Sequence, residues 1–327
     1  MMGTFLGKLL DRYLFRRIQP RLLDRRTSTE ELAVQRRRDL ADELRAAVTT
    51  PAPGSVSLGG ERNDPRVNLA FRPVTLSPPE VVGRLYGQTD PATPAVLFVH
   101  GWLQPSHLSL SETAALLVRR GFSVFVLELP HHLSRRPPGE AHGARFVSGD
   151  LKLTLDSLVQ ATAEVAAAAA WLRNRAGVLF TMGFSLGGLV AGLHACLAEE
   201  PPDKVVLVAP AARPAEILLR SPLTDRVRRA VFAQGVTPQE IRRVLAPLDL
   251  TGLRPRTTPE NVCLVAGRGD QAVPVYVLRG LRDRWGCRFH EVSGGHISLW
   301  LPLVAGERLG FDRGLSWCRR VADFLEG

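Results

Sequence analysis

The run 177–193, Gly-Val-Leu-Phe-Thr-Met-Gly-Phe-Ser-Leu-Gly-Gly-Leu-Val-Ala-Gly-Leu, leaves this chain few ways to fold. Residues 178–182 predict a short buried strand, 183–187 a tight turn, and the apolar residues that follow a helix with no linker before it. A strand that passes straight into a helix needs small residues where the two backbones cross, and Gly183 and Gly187 flank Ser185 at two residues on either side. This is the G-x-S-x-G turn in its required setting, strand before and helix after. It strains the serine backbone and lifts the hydroxyl to a helix N-terminus, where free N–H groups face any developing negative charge. Taken alone, the same residues also describe a Gly-rich turn with an ordinary serine. An acid and a histidine in the right places decide between the two.

The surrounding elements predict where such partners can come from. Residues 67–75 and 81–86 alternate as hairpin strands, after a Pro/Gly/Ser/Thr-rich stretch at 49–64 that reads as a linker or as turns. Ala95–Val99 is a continuous apolar run of the kind buried on both sheet faces, and 122–127 reads as another buried strand. Between them Ser109 and Glu112 predict a capped helix closed by Gly121. A long helix over 151–176 leads to the turn, and another apolar strand, 204–209, follows it. Residues 211–259 then break the alternation with helical sequence, including the N-terminal signal Thr237-Pro238-Gln239-Glu240. Strand 262–266, helix 275–285, strand 288–292 and a helix from about 312 resume the alternation. The expectation is an α/β fold with a mostly parallel, doubly wound sheet over 49–327 and a small helical cap at 211–259, preceded by an N-terminal helical arm at 1–48.

Asp270 follows the 262–266 strand and His296 follows the 288–292 strand. Serine, acid and histidine in that chain order, each just past a strand end, resemble the arrangement of α/β-hydrolases. The chemistry needs all three. Ser185 is a weak nucleophile until neutral His296 takes its proton, and Asp270 holds the histidine tautomer and stabilises the imidazolium. The oxyanion hole is expected from the backbone N–H groups of Leu186 and of Trp102, in the turn after His100-Gly101. In the loop after the 122–127 strand, His132 and Arg135 are candidates for holding an acidic substrate group, since Arg presents a planar fork to carboxylate or phosphate; structural pinning of the loop is the default reading.

The elbow, Asp270 with Pro274, Gly294-Gly295-His296-Ile297-Ser298, Pro130-His131-His132 with Arg135 and Pro137, and the Leu/Arg-rich start together resemble the family of α/β-hydrolase-domain-containing protein 18 and its bacterial relatives. His131, His132 and Leu133 depart from the animal form. The resemblance implies a serine hydrolase, with action on acyl lipids such as phospholipids one option. The expected reaction is ester cleavage through an acyl-enzyme. Amide, peptide or thioester hydrolysis, acyl transfer, and a non-catalytic binding protein on the same fold stay open.

Composition narrows the partners. The net charge is +10, and lysine occurs only at 8, 152 and 204, so arginine carries it. That favours anionic partners, yet sparse aromatics and the lack of any nucleic-acid-binding signature argue against nucleic acid. Cys196, Cys263, Cys287 and Cys318 lack metal or redox spacing and read as reduced core thiols of a cytoplasmic protein. No cofactor or metal is expected, and no apolar run is long enough to span a bilayer. In the arm, Phe5, Leu6, Leu9, Leu10, Tyr13, Leu14 and Ile18 recur at helical spacing among basic residues. Such a helix either lies peripherally on an anionic membrane or packs on its own domain with arginine facing water.

Overall fold

A computed structural model of the chain describes residues 2–19, 39–49, 55–58, 66–70, 80–300 and 316–327. Its strands are β1 (Ser55–Leu58), β2 (Arg66–Ala70), β3 (Glu80–Tyr86), β4 (Ala95–Val99), β5 (Ser123–Leu127), β6 (Leu179–Phe184), β7 (Lys204–Val208), β8 (Val262–Gly267) and β9 (Arg288–Val292). They form one sheet in the order β1-β2-β3-β5-β4-β6-β7-β8-β9. The first three strands join antiparallel, with β3 on β5; from β5 to β9 every pairing is parallel. Every residue of β4, β5, β6 and β8 is buried, which explains sequences that are apolar apart from Ser123 and Thr181: helices cover both faces.

The helices are α1 (Met2–Ile18), α2 (Leu40–Val48), α3 (Leu108–Val118), α4 (Leu151–Arg173), α5 (Leu186–Leu197), α6 (Pro214–Arg220), α7 (Asp225–Phe232), α8 (Pro238–Leu245), α9 (Val275–Trp285) and α10 (Ser316–Glu326). Alanine at 166–169 lets α4 lie close beneath the sheet, where it packs with α2 and α5. None of the described helices is long and apolar enough to cross a membrane.

Strand order determines where a site can form. From β4 the chain moves to β5 on one side and then to β6 on the other, and the crevice at such a reversal lies outside the carboxyl ends of the strands. Register keeps those ends level: Val99 pairs with Leu127 and Gly183, Gly183 with Leu207, and Leu207 with Leu264. The loops after β4, β5, β6, β7, β8 and β9 therefore converge. Helices α6 to α8 form the interruption at 211–259, and α8 begins with the expected reciprocal cap between Thr237 and Glu240.

Several expectations change. Within the stretch read as a linker, β1 pairs with β2, so four of its residues belong to the sheet. The first hairpin strand ends at Ala70, and the rest of its predicted span lies outside the described residues. Helix α3 starts at Leu108 after His107, with no side-chain cap; the Ser109 hydroxyl instead accepts from Gln104. The arm splits into α1 and α2, and its middle lies outside the described residues. All four cysteines are free and buried, and burial pushes the Cys196 and Cys263 thiols up to about 12.

Helix α1 packs on the domain along one face. Gly7, Asp11 and Phe15 are buried, while Phe5, Leu9 and Tyr13 on the opposite face are 62%, 46% and 54% exposed. Just past its end the Gln19 amide donates to the carbonyls of Pro222 and Leu223 and accepts from the Arg226 N–H, tying the helix to the start of α7.

Candidate active site

Ser185 sits between β6 and α5 with φ 52° and ψ −112°, a conformation that costs a residue with a side chain about 1–3 kcal/mol. Its surroundings leave it no other. A Cβ on Gly183 would collide with the Gly187 carbonyl, and one on Gly187 with the carbonyls of Val99 and His100. The Ser185 N–H donates to Val208 O at 2.9 Å, and the Ser185 carbonyl accepts from Leu189 at 3.0 Å and Ala211 at 2.9 Å. The glycines are thus the condition for the strand–helix crossing, and the crossing imposes the strain.

The loops after β8 and β9 bring Asp270 and His296 to the serine. His296 Nε2 lies 2.9 Å from Ser185 Oγ, and His296 Nδ1 lies 2.7 Å from Asp270 Oδ2. The other Asp270 oxygen accepts from the N–H groups of Ala272 at 2.8 Å and Val273 at 2.7 Å, which fixes the carboxylate plane. A carboxylate at Nδ1 demands the tautomer with its proton there, leaving Nε2 to accept from the serine hydroxyl. Burial acts to lower the His296 pKa, but the charge and hydrogen bond of Asp270, with the charge of Asp11, outweigh it and raise the value above 6.5. The Phe184 ring stacks on Trp300 with centroids 4.6 Å apart and meets the His296 ring at 5.1 Å. Asp249, in the 211–259 region, caps its own turn and faces Arg213.

The turn after β4 presses against the serine. A Cβ on Gly101 would lie 2.7 Å from the Phe184 ring and 3.4 Å from Ser185 Cβ, so the backbone leading into Trp102 runs beside the hydroxyl. Leu186 is the first residue of α5, where the N–H has no partner within the helix. The turn is held by buried, neutral histidines. His100 Nε2 accepts from Leu129 N–H, and His132 Nε2 accepts from Leu103 N–H at 3.2 Å, just past Trp102. Burial pulls the His100 pKa down to about 4 and that of His132 well below the ordinary value. The Trp102 indole donates to Gly143 O at 2.8 Å and completes the tie between the two loops.

The expected substrate role of His132 and Arg135 is corrected by these contacts. His132 is fully buried and both its ring nitrogens are engaged with backbone. Arg135 is 7% exposed and makes a two-pronged ion pair with the fully buried Glu164 at 2.6 and 2.7 Å, with a further bond to Glu128 O. Guanidinium and carboxylate neutralise each other inside the domain, and removal of either would strand the other at a cost of about 3–5 kcal/mol. Pinning of the loop, the default reading, is what the geometry shows. Sequence reasoning passed over Asp11, Glu128 and Glu164; the signal for Glu164 is a lone acid in an Ala-rich apolar helix.

Beside Ser185 opens an apolar cavity of about 90 Å³, walled by Trp102, Leu186 and Val273 from the core and by Ile217, Leu223 and Val227 from the helices above. No cluster of three or more His, Cys, Asp or Glu suited to a metal occurs among the described residues.

Among solved structures, the fold is similar to an acetyl xylan esterase 1 of a Thermoanaerobacterium species (TM-score 0.58, 15% identity, covering 87% of this chain and 98% of that one). It is also similar to an acetyl xylan esterase of a Paenibacillus species (TM-score 0.54, 13% identity, 90% and 98%) and to an esterase of Pyrococcus furiosus (TM-score 0.51, 16% identity, 85% and 98%). No curated protein matches the chain by sequence. Residues 96–309, which carry the elbow serine and the acid and histidine bonded to it, match the alpha/beta hydrolase family, and the chain belongs to that family.

Proposed function

We propose that the chain is a serine hydrolase that cleaves a carboxylic ester with an apolar acyl group. The observation that carries this reading is the continuous hydrogen-bonded series Asp270–His296–Ser185, ending beside an apolar cavity. In the reaction Ser185 Oγ attacks the ester carbonyl while His296 Nε2 takes its proton, and Asp270 stabilises the imidazolium. The negative charge on the carbonyl oxygen is met by the N–H groups of Leu186 and Trp102. His296 then returns the proton to the departing alkoxide, leaving the acyl group on Ser185. Water, deprotonated by the same histidine, releases the acid and restores the serine.

The triad itself does not encode the leaving group, so amides, thioesters and acyl transfer use the same steps. An ester is favoured by the apolar cavity, which has the chemistry to receive an acyl chain, and the fold neighbours above bear the names of esterases. The narrower likeness to α/β-hydrolase-domain-containing protein 18 rests on the shared motifs around Ser185, Asp270 and His296.

We further propose that the outer face of α1 rests on an anionic membrane that presents a lipid ester. Phe5, Leu9 and Tyr13 stand exposed one turn apart, with exposed Lys8, Arg12, Arg16 and Arg17 between and beside them. Each basic residue near an anionic bilayer contributes roughly 1 kcal/mol, reduced by salt. Arginines of the cap add less to such a surface: Arg220 and Arg242 pair with Glu216, and Arg228 and Arg229 with Asp225.

Three outcomes follow. Ser185→Ala should lower kcat for a p-nitrophenyl ester by on the order of 10⁴ or more while the thermal melt is retained; wild-type turnover in that variant would end the assignment. The active base is neutral His296, whose pKa lies above 6.5, so kcat/KM should fall as pH drops through that raised value, with the acid limb on the alkaline side of 6.5. A profile flat from about pH 5 to 9 would contradict a histidine base. Replacing Phe5 and Leu9 together by Glu should abolish co-sedimentation with phosphatidylglycerol vesicles and leave turnover of a soluble ester and the melting temperature unchanged. Undiminished sedimentation would remove the membrane reading.

A further inference from the structure

The inner face of α1 is built onto the two loops that carry the acid and the base. Thr4, Gly7 and Asp11 follow one another at three- and four-residue spacing, so they share one face of the helix. A Cβ on Gly7 would collide with the backbone N of Gly295, and one on Gly269 would lie 2.5 Å from the Thr4 carbonyl oxygen. Backbone therefore meets backbone at both loops, which leaves Asp11 as the first side chain on this face long enough to reach between them.

Its carboxylate uses that position fully. Asp11 Oδ2 accepts from the N–H of His296 at 2.8 Å and from the N–H of Gln271 at 3.1 Å, while Oδ1 accepts from the N–H of Ile297 at 2.9 Å. One residue thus holds the amide of the histidine itself, the amide after it, and the amide next to Asp270 in the other loop. The carboxylate is completely buried, and a Cβ on Gly295 would lie 2.6 Å from Oδ2. A carboxylate kept from water is costly, and an apolar residue there would strand three backbone donors.

We propose that Asp11 is a positioning residue for His296: its carboxylate ties the loop carrying the base to the loop carrying the acid, which makes the N-terminal helix part of the active site. The proposal rests on the serine-hydrolase reading. Asp11 touches no substrate atom and acts through the backbone of His296, whose ring must stay within hydrogen-bond reach of Ser185. It also acts through charge. The charged groups that face His296 are Asp270, from the loop after β8, and Asp11, from α1, and both favour the imidazolium. Burial first, then the charge of Asp270, pushes the Asp11 carboxyl itself up to about 6.

The test uses the full chain and two variants, Asp11→Asn and Asp11→Ser. The amide keeps the shape of the carboxylate but turns one acceptor into a donor aimed at a backbone N–H; the hydroxyl is smaller and keeps an acceptor. Displacement of a catalytic group by about 1 Å can cost about 10²-fold, so kcat for a small soluble ester should fall about 10- to 100-fold with KM changed less than about threefold. The His296 pKa, read from imidazole NMR, should fall in each variant because one of its two facing charges is gone. Wild-type kcat with an unmoved histidine titration in a folded variant would overturn the proposal. So would a loss of kcat that merely follows the melting temperature while the His296 pKa stays in place. Should both variants fail to fold, the wild-type protein decides: the amide resonances of Gln271, His296 and Ile297 should share a titration centred near the Asp11 value of about 6, and their failure to do so overturns the proposal. The NMR titrations need no turnover. An inactive wild type would therefore sink the hydrolase reading and still leave the role of Asp11 measurable.

Discussion

The close crossing of β6 and α5 is the contact on which the rest of the site depends. Gly183 and Gly187 approach until no Cβ fits between their backbones, and this contact forces Ser185 to positive φ. The strain is held by a hydrogen bond to the Val208 carbonyl and by hydrogen bonds from the Leu189 and Ala211 N–H groups, partners that lie in the adjacent strand, the helix and the next loop. A conformation worth about 1–3 kcal/mol of strain persists because three separate elements would have to move to release it. The parallel sheet then sets the partners. With strand ends level, the loops after β8 and β9 need only a few residues to bring a carboxylate and an imidazole to the serine.

Loops of this length hold their shape through buried polar groups, each with its partners. Neutral His100 and His132 accept backbone N–H groups near the Gly101-Trp102 turn, Glu164 neutralises Arg135 behind it, and Asp11 binds three N–H groups on the far side of the triad. Burial accounts for the histidines being neutral; as cations they would lose the acceptor nitrogen on which the loop hangs. Precision at the serine therefore rests on buried side chains drawn from α1, α4 and the loops after β4 and β5.

The fold and the three central residues were legible because they rest on local rules. Buried parallel strands are written as apolar runs, a strand–helix crossing demands glycine, and Asp270 and His296 stand directly after strands. What stayed hidden depends on contacts distant in sequence. His132 and Arg135 have the composition of a polar clamp, and only their burial against Leu103 and Glu164 reveals them as fasteners. Asp11 stands in a basic helix, where an acid reads as a solvated residue; its partners lie 260 to 286 residues away. Helix α1 allows two readings, packing or membrane contact, because its apolar residues recur among basic ones; in the structure Asp11 and Phe15 are inside, whereas Phe5, Leu9 and Tyr13 remain outside.

The central claim is the proposal that Ser185 is an activated nucleophile. Its hydroxyl lies 2.9 Å from Nε2 of the His296 imidazole, at the N-terminus of α5. Labelling of the native protein with a fluorophosphonate, read by intact mass and peptide mapping, tests this most directly, since a serine without an adjacent base reacts negligibly. The account predicts one adduct per chain, on Ser185, lost when the protein is unfolded before labelling. An unlabelled native protein, or an adduct on another residue with Ser185 left free, would contradict it.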